Sequence, residues 1–339
     1  MMHSAFAALI LALPLTSLAR HEDGALRRRH HNVARSSSNN GPTYMRRDSN
    51  YTLQNKFVGE DFLDWNFYDA ADPTSGLVDY LDEADAVAAG LASVDCNNVT
   101  TLKIDNTETV AAGGLRKSVR ISSPETYNGG LFIADFAAMP YGCGIWPAYW
   151  TVSATATWPA GGEMDIIEGV NLMTQNQITL HTGDTCTLNS TAATTGSISS
   201  TTCTSSADAD SGCAYTQPGT NSFGAGFNAA GGGVFAHLWN SDGITVWFFT
   251  RDAIPSDVAG GTPDPTSWGT PTAIFPDTGC DISASLYDHT IVLDTTICGD
   301  WAGAVYSTSG CPGTCDEIVA NATNFDSECL CGSIPAARA

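Results

Sequence analysis

The chain has 339 residues, 43% of them hydrophobic, and a formal net charge of −22, so it can bury a sizeable core. Half of its 14 basic residues but only two of its 36 acidic ones fall within residues 20–47, leaving 7 basic against 34 acidic from Asp48 onward. A body this acidic repels nucleic acid and anionic membranes and suits a neutral partner or an acidic medium.

In chain order, residues 1–19 hold an apolar run from Ala5 to Leu15 followed by Ser17-Leu18-Ala19. This reads as a secretory signal peptide, too short to span a bilayer. Residues 20–47 are rich in Arg, His, Ser and Asn and nearly free of aliphatics, so they cannot bury enough surface to offset ordering. Arg46-Arg47 has the form of a dibasic processing site, and the segment reads as a pro-peptide or a disordered tail. Residues 48–339 read as one domain, without an internal repeat or linker.

Strand signals dominate this body. "KSVRISS" (117–123), "GGLFIADFAAM" (129–139), "NQITLHTG" (176–183), "GVFAHLWN" (233–240), "GITVWFFTR" (243–251) and "HTIVLDTT" (289–296) are short and rich in β-branched and aromatic residues. "WNSDGITVWF" predicts a hairpin. Helical periodicity is confined to Leu81–Ala92 and Cys315–Phe325. Many strands and few helices predict an all-β fold, two antiparallel sheets packed as a jelly roll or similar sandwich.

All eleven cysteines follow residue 95. In an exported chain they read as disulfides with one left over, and Cys186, Cys203 and Cys213 should hold the Ser/Thr-rich loop 185–210. The alternative is a zinc site at Cys311, Cys315, Cys329 and Cys331. Sequons at Asn50, Asn98, Asn189 and Asn321 agree with a eukaryotic secretory route.

"WPAGGEMDIIEGV" (158–170) places three carboxylates in six residues of a strand-like segment. Alternate strand residues share a face, so Glu163 and Asp165 point one way and Met164 and Ile166 the other. Glu168, five residues from Glu163, would point inward on a regular strand, and a lone buried carboxylate is costly. One extra residue in a β-bulge at Ile166-Ile167 returns Glu168 to the face of Glu163. Two carboxylates on one face suit glycoside hydrolysis, with a separation of about 5–5.5 Å in retaining enzymes. Asp165 between them would hold Glu163 by a hydrogen bond and push neighbouring pKa values apart. The competing reading is an acidic strand or a calcium site, although calcium favours mixed oxygen ligands on loops.

The Glu-Met-Asp-Ile-Ile-Glu run resembles the E-x-D-x-x-E signature of glycoside hydrolase family 16. "DPTSGLVDY", "SVRI", "GLFIADFAAMPYGCGIWPAYWTV", "ITLHT", "SFGAGFNAAGGGVFAHLW" and "CGDWAG" resemble fungal secreted endo-1,3(4)-β-glucanases of that family in the same order, from Tyr51 to Phe325. The resemblance implies a β-jelly-roll with a cleft across its concave sheet. It also implies Glu163 as nucleophile, Glu168 as general acid/base and Asp165 as the assisting residue.

Trp158 can stack on a sugar ring in the cleft or serve a structural role. Trp150 is expected beside the site and Trp146 in the core. Arg120 needs a partner, either a glucan hydroxyl or a structural carboxylate. By the resemblance, His181 lies on the strand beside the catalytic one and could contact Glu168, a structural His being the alternative; Trp301 matches a substrate-contacting Trp. One departure stands out: the family's closing apolar strand with a Trp is missing, altered or shortened to "CLCGSI" in "FDSECLCGSIPAARA".

The implied activity is secreted, retaining, endo-acting cleavage of β-1,3 or mixed β-1,3/1,4 glucans by a monomer, needing no metal or organic cofactor and no nucleic-acid or membrane partner. The rivals are a β-glucan transglycosylase and a non-catalytic glucan-binding protein, the latter disfavoured by both glutamates.

Overall fold

In a computed structural model, which describes residues 51–206, 209–325 and the backbone of 328–338, two eight-stranded sheets share one apolar interior. The first runs Ala273–Pro276, Gly243–Thr250, Gly233–Asn240, Gly130–Ala138, Glu328–Arg338, Thr100–Lys103, Ala92–Val94, with Thr52–Phe57 also paired to Glu328–Arg338. The second runs Ser197–Ser200, Cys213–Thr216, Gln177–His181, Glu163–Glu168, Ile145–Ser153, His289–Ile297, Arg120–Ser122, Asn66–Phe67. Every pairing within the two sheets is antiparallel. The signal-like segment, the basic tail and the Asn50 sequon lie outside the described residues. Asn98, Asn189 and Asn321 are exposed.

Period-2 patterning explains how the sheets meet. Phe132, Phe136 and Phe235 from the first sheet pack with Tyr149, Met164, Ile166, Ile178, Leu180, Ile291 and Leu293 from the second. Fully burying each such side chain contributes about 1.5–3 kcal/mol. Two histidines sit in this interior. His237 stacks on Phe132 with centroids 4.5 Å apart. His289 donates Nε2–H to the Gly161 carbonyl (2.7 Å) and accepts from Thr151 Oγ1 (2.8 Å).

The hairpin forms as predicted, with Asn240 opposite Gly243. The expected 117–123 strand divides into Arg116–Ser118 and Arg120–Ser122. Arg116–Ser118 pairs in parallel with Val78–Tyr80 outside the two main sheets. The helices are shorter than their sequence periodicity, Glu83–Ala88 and Cys315–Val319, the latter followed by a 3-10 turn at Ala322–Phe325. Each has a side-chain N-cap, Asp82 or Thr314.

The closing strand is altered rather than missing or shortened: Glu328–Arg338 spans 11 residues inside the first sheet and carries no Trp. Pairing with Gly130–Ala138, Thr100–Lys103 and Thr52–Phe57 imposes extended backbone on a segment whose Gly, Ser, Pro and Ala residues have weak strand propensity. The zinc reading fails because Cys311 and Cys315 are joined to different cysteines, in Cys143–Cys311 and Cys298–Cys315. Cys186–Cys280 and Cys203–Cys213 hold the Ser/Thr-rich loop as anticipated, and Cys96 is free and exposed. Among the described residues, no helix is long and apolar enough to cross a membrane.

Candidate active site

The Glu163–Glu168 strand carries one extra residue relative to both neighbours. Against Gln177–His181, Asp165 faces Thr179 and Glu168 faces Gln177. Against Ile145–Ser153, Asp165 faces Trp150 and Ile167 faces Tyr149. Ile166 and Ile167 both turn into the core, at 0% and 1% exposure, and absorb the change of phase. Glu163, Asp165 and Glu168 therefore share the outer face of the second sheet.

A bulge strands backbone polar groups, and Asn176 meets them. Its Oδ1 accepts from the Glu168 N–H (2.9 Å) and its Nδ2 donates to the Ile166 carbonyl (2.8 Å). Asn176 is wholly buried and is itself held by Ser222 Oγ, which accepts from its N–H (3.1 Å). Nothing in the sequence reading singled it out, because its role depends on which backbone groups the bulge leaves unpaired.

Burial and the neighbouring Asp165 carboxylate push Glu163 and Glu168 well above the usual carboxylate range. Neighbours act the other way, His181 and Arg120 on Glu163, Trp146 and His181 on Glu168. His181 Nε2 lies 3.9 Å from Glu163 Oε1, and Trp146 Nε1–H donates to Glu168 Oε1 (2.9 Å). Asp165, 2% exposed, is likewise pushed well up by burial and by Asp294. Its Oδ2 lies 3.2 Å from His181 Nε2 yet receives no well-directed hydrogen bond.

Three sequence expectations change here. His181 contacts Asp165 and Glu163 rather than Glu168, because register sets it directly across from Glu163. Asp165 acts on Glu163 through charge, and the expected hydrogen bond between them does not form. Trp146 is a half-buried partner of Glu168, not core. Its spacing of four from Trp150 on one strand, an even number, already placed both on the outer face.

Beside the carboxylates, Arg120 pairs with Asp294 (3.2 Å), whose other oxygen accepts from Trp150 Nε1 (3.2 Å). The guanidinium lies between the rings of Tyr68 and Trp150, 5.0 Å from each centroid. Arg120 thus has a structural carboxylate partner. Asp294 was missed, although a charged residue inside the apolar run "HTIVLDTT" was its signal. Trp301, in the turn Gly299–Gly303, meets Trp146 edge-to-face at 5.6 Å and lines a surface cavity of about 260 Å³ with Asn171, Leu172 and Met173. Trp158 is 36% exposed, 6.2 Å from the His181 ring. The structure thus gathers every sequence-predicted site residue around this face, with an open aromatic ring on either side of the acids. Glu163, Asp165 and His181 also offer ligand atoms within 4.8 Å of one another, a donor set capable of holding a metal ion.

Comparison with known proteins fits this geometry. A family model described as an XgeA-like, catalytic GH16 domain matches residues 65–329. A probable glycosidase of Schizosaccharomyces pombe is 44% identical over 276 residues, 80% of this chain and 65% of that protein. An endo-1,3(4)-β-glucanase of Emericella nidulans is 42% identical over 268 residues, 78% of this chain and 42% of that protein. The chain thus spans about two fifths to two thirds of the length of these relatives. Among solved structures, GH16 laminarinase 16A from Phanerochaete chrysosporium, with 6-O-glucosyl-laminaritriose in both donor and acceptor sites, superposes with a TM-score of 0.82. It is 39% identical, and the match covers 86% of this chain and all of that one. With a catalytic-domain match across most of its length and a jelly-roll of the same form, the chain belongs to glycoside hydrolase family 16, in its XgeA-like group.

Proposed function

We propose that the chain is a secreted, endo-acting β-glucanase that cleaves β-1,3 or mixed β-1,3/1,4 linkages with retention of configuration. The observation that carries this reading is the bulge, which turns Glu163 and Glu168 to one face beside open tryptophans. The activity named for the Emericella nidulans relative and the β-glucan bound by the laminarinase support the substrate class.

In the first step Glu163 attacks the anomeric carbon while Glu168 protonates the leaving oxygen. The charges suit these roles. Trp146 donates to Glu168 Oε1, leaving Oε2 to carry the proton that burial and Asp165 help retain. Negative charge is better borne by Glu163, which His181 and Arg120 favour electrostatically. In the second step Glu168 deprotonates a water, which releases the sugar from Glu163. None of these steps calls on a metal or organic cofactor.

Glu163→Gln tests the assignment. Cleavage of laminarin should be abolished while glucan binding, measured by affinity electrophoresis, persists; unchanged cleavage would refute it. NMR of fresh digests should show the β-anomer appearing first. The occupied acceptor site of the related laminarinase favours one second reading, transfer to a sugar acceptor in place of water. A labelled acceptor oligosaccharide separates the two: transfer labels longer chains, whereas hydrolysis raises reducing ends.

A further inference from the structure

Beyond sugar chemistry, the contacts around His181 have an unfilled partner. Ser205 Oγ donates to the Cys203 carbonyl (3.4 Å) and so accepts from His181 Nδ1–H at 2.9 Å. That places a proton on Nδ1, so in the neutral ring the Nε2 lone pair faces the carboxylates. Opposite it, 3.2 Å away, stands Asp165 Oδ2, buried and without a hydrogen-bond donor of its own. Glu163 Oε1 completes the cluster at 3.9 Å from the same nitrogen. Two such atoms stand this close only with a cation between them, a proton in the resting enzyme or a metal ion in its place.

We infer that Glu163, Asp165 and His181 form a latent site for a divalent transition-metal ion of the zinc class, and that its occupation reversibly shuts the enzyme off. Ligands at about 2.0–2.2 Å around a tetrahedral ion lie roughly 3.3–3.6 Å from one another. The observed spacings, 3.2 Å and 3.9 Å, straddle that range, and all three ligand atoms lie within 4.8 Å. One imidazole and two carboxylates suit zinc, cobalt, nickel or copper; calcium and magnesium want six or more oxygens. Three protein ligands leave a fourth position for water, and Ser205 supplies the outer hydrogen bond that holds a ligating imidazole in place. The inhibitory consequence rests on the reading of Glu163 as nucleophile, since a metal ion on its carboxylate withdraws the negative charge that the attack needs and stands where the sugar must approach. Metal and glucan then exclude each other.

The test is calorimetric titration of the full chain with Zn²⁺ in high salt, which suppresses binding to the acidic surface, alongside Co²⁺ titration read by visible absorption. One ion should bind tightly, with a tetrahedral-type cobalt spectrum, and a laminari-oligosaccharide should displace it. Ser205→Ala should weaken binding about 10–100-fold, and His181→Asn by more. Zn²⁺ should inhibit competitively with laminarin, and a chelator should restore activity. Failure to bind up to millimolar zinc, equal binding by wild type and both variants, or several equal sites indifferent to His181 would overturn the proposal. Glu163→Gln separates the two claims. If it weakens zinc binding but still cleaves glucan, the nucleophile reading fails and the metal site stands. If it loses cleavage but binds zinc like wild type, Glu163 is no ligand and the inhibitory site as drawn is refuted.

Discussion

Removing the Asn176 side chain by Asn176→Ala would leave two buried groups without partners, the Glu168 N–H and the Ile166 carbonyl. An orphaned buried polar group costs about 1–3 kcal/mol, so the loss should reach about 2–6 kcal/mol. Typical domain stability is only about 5–15 kcal/mol, so the variant should fold but unfold at clearly lower urea. Activity should fall further than occupancy of the folded state explains, because the bulge sets the position of Glu168. A misplacement of about 1 Å can cost on the order of 100-fold in rate. The loss should appear in kcat with KM little changed, since Glu168 acts in the transition state. Urea unfolding and steady-state kinetics on laminarin measure both. A variant within about 0.5 kcal/mol of wild type, the usual range for a neutral surface change, and with unchanged kcat would refute Asn176 as the clamp of the bulge.

Trp146→Phe removes the donor to Glu168 Oε1. A hydrogen bond to a charged group is worth about 1.5–3 kcal/mol, or roughly 1–2 pKa units, so the alkaline limb of kcat/KM should move to higher pH; an unmoved limb would contradict the contact. Asp294→Asn should raise KM more than it lowers kcat, because Arg120 and Trp150 lose their shared anchor. Stability should peak on the acid side of neutrality. Glu163, Glu168 and Asp294 have raised folded pKa values, so their contribution is present below about 4.5, the unfolded range, and is lost as pH rises through the folded values. His237 and His289, held down to about 3 and about 4 by burial, contribute above about 6.5 and lose that as pH falls. A melting temperature that climbs steadily from pH 4 to 8 would count against this balance.

The sequence carried the parts of the site that depend on strand period. Residues 163, 165 and 168 could share a face only through an extra residue, and two consecutive isoleucines marked where it goes. The same rule was available for Trp146 and Trp150, but Pro147 between them weakened the strand reading; the backbone nevertheless stays extended from Ile145 to Ser153. His181 was legible as a neighbour but not its partner, because register between strands distant in sequence follows from tertiary packing. Asn176 and Ser205 were not legible at all, since each serves backbone or ring atoms exposed by features elsewhere. The C-terminal strand was legible only as a departure from the family's pattern, because pairing with its neighbours, not its own weak propensity, makes it a strand.

The most direct test of the central claim is covalent trapping. A laminari-oligosaccharide with a 2-fluoro substituent and a good leaving group should stall the enzyme after the first step, and peptide mass spectrometry should locate the adduct. A single sugar on Glu163 with Glu168 unmodified is the predicted result. An adduct on Glu168, or turnover with inversion and no adduct, would contradict the account.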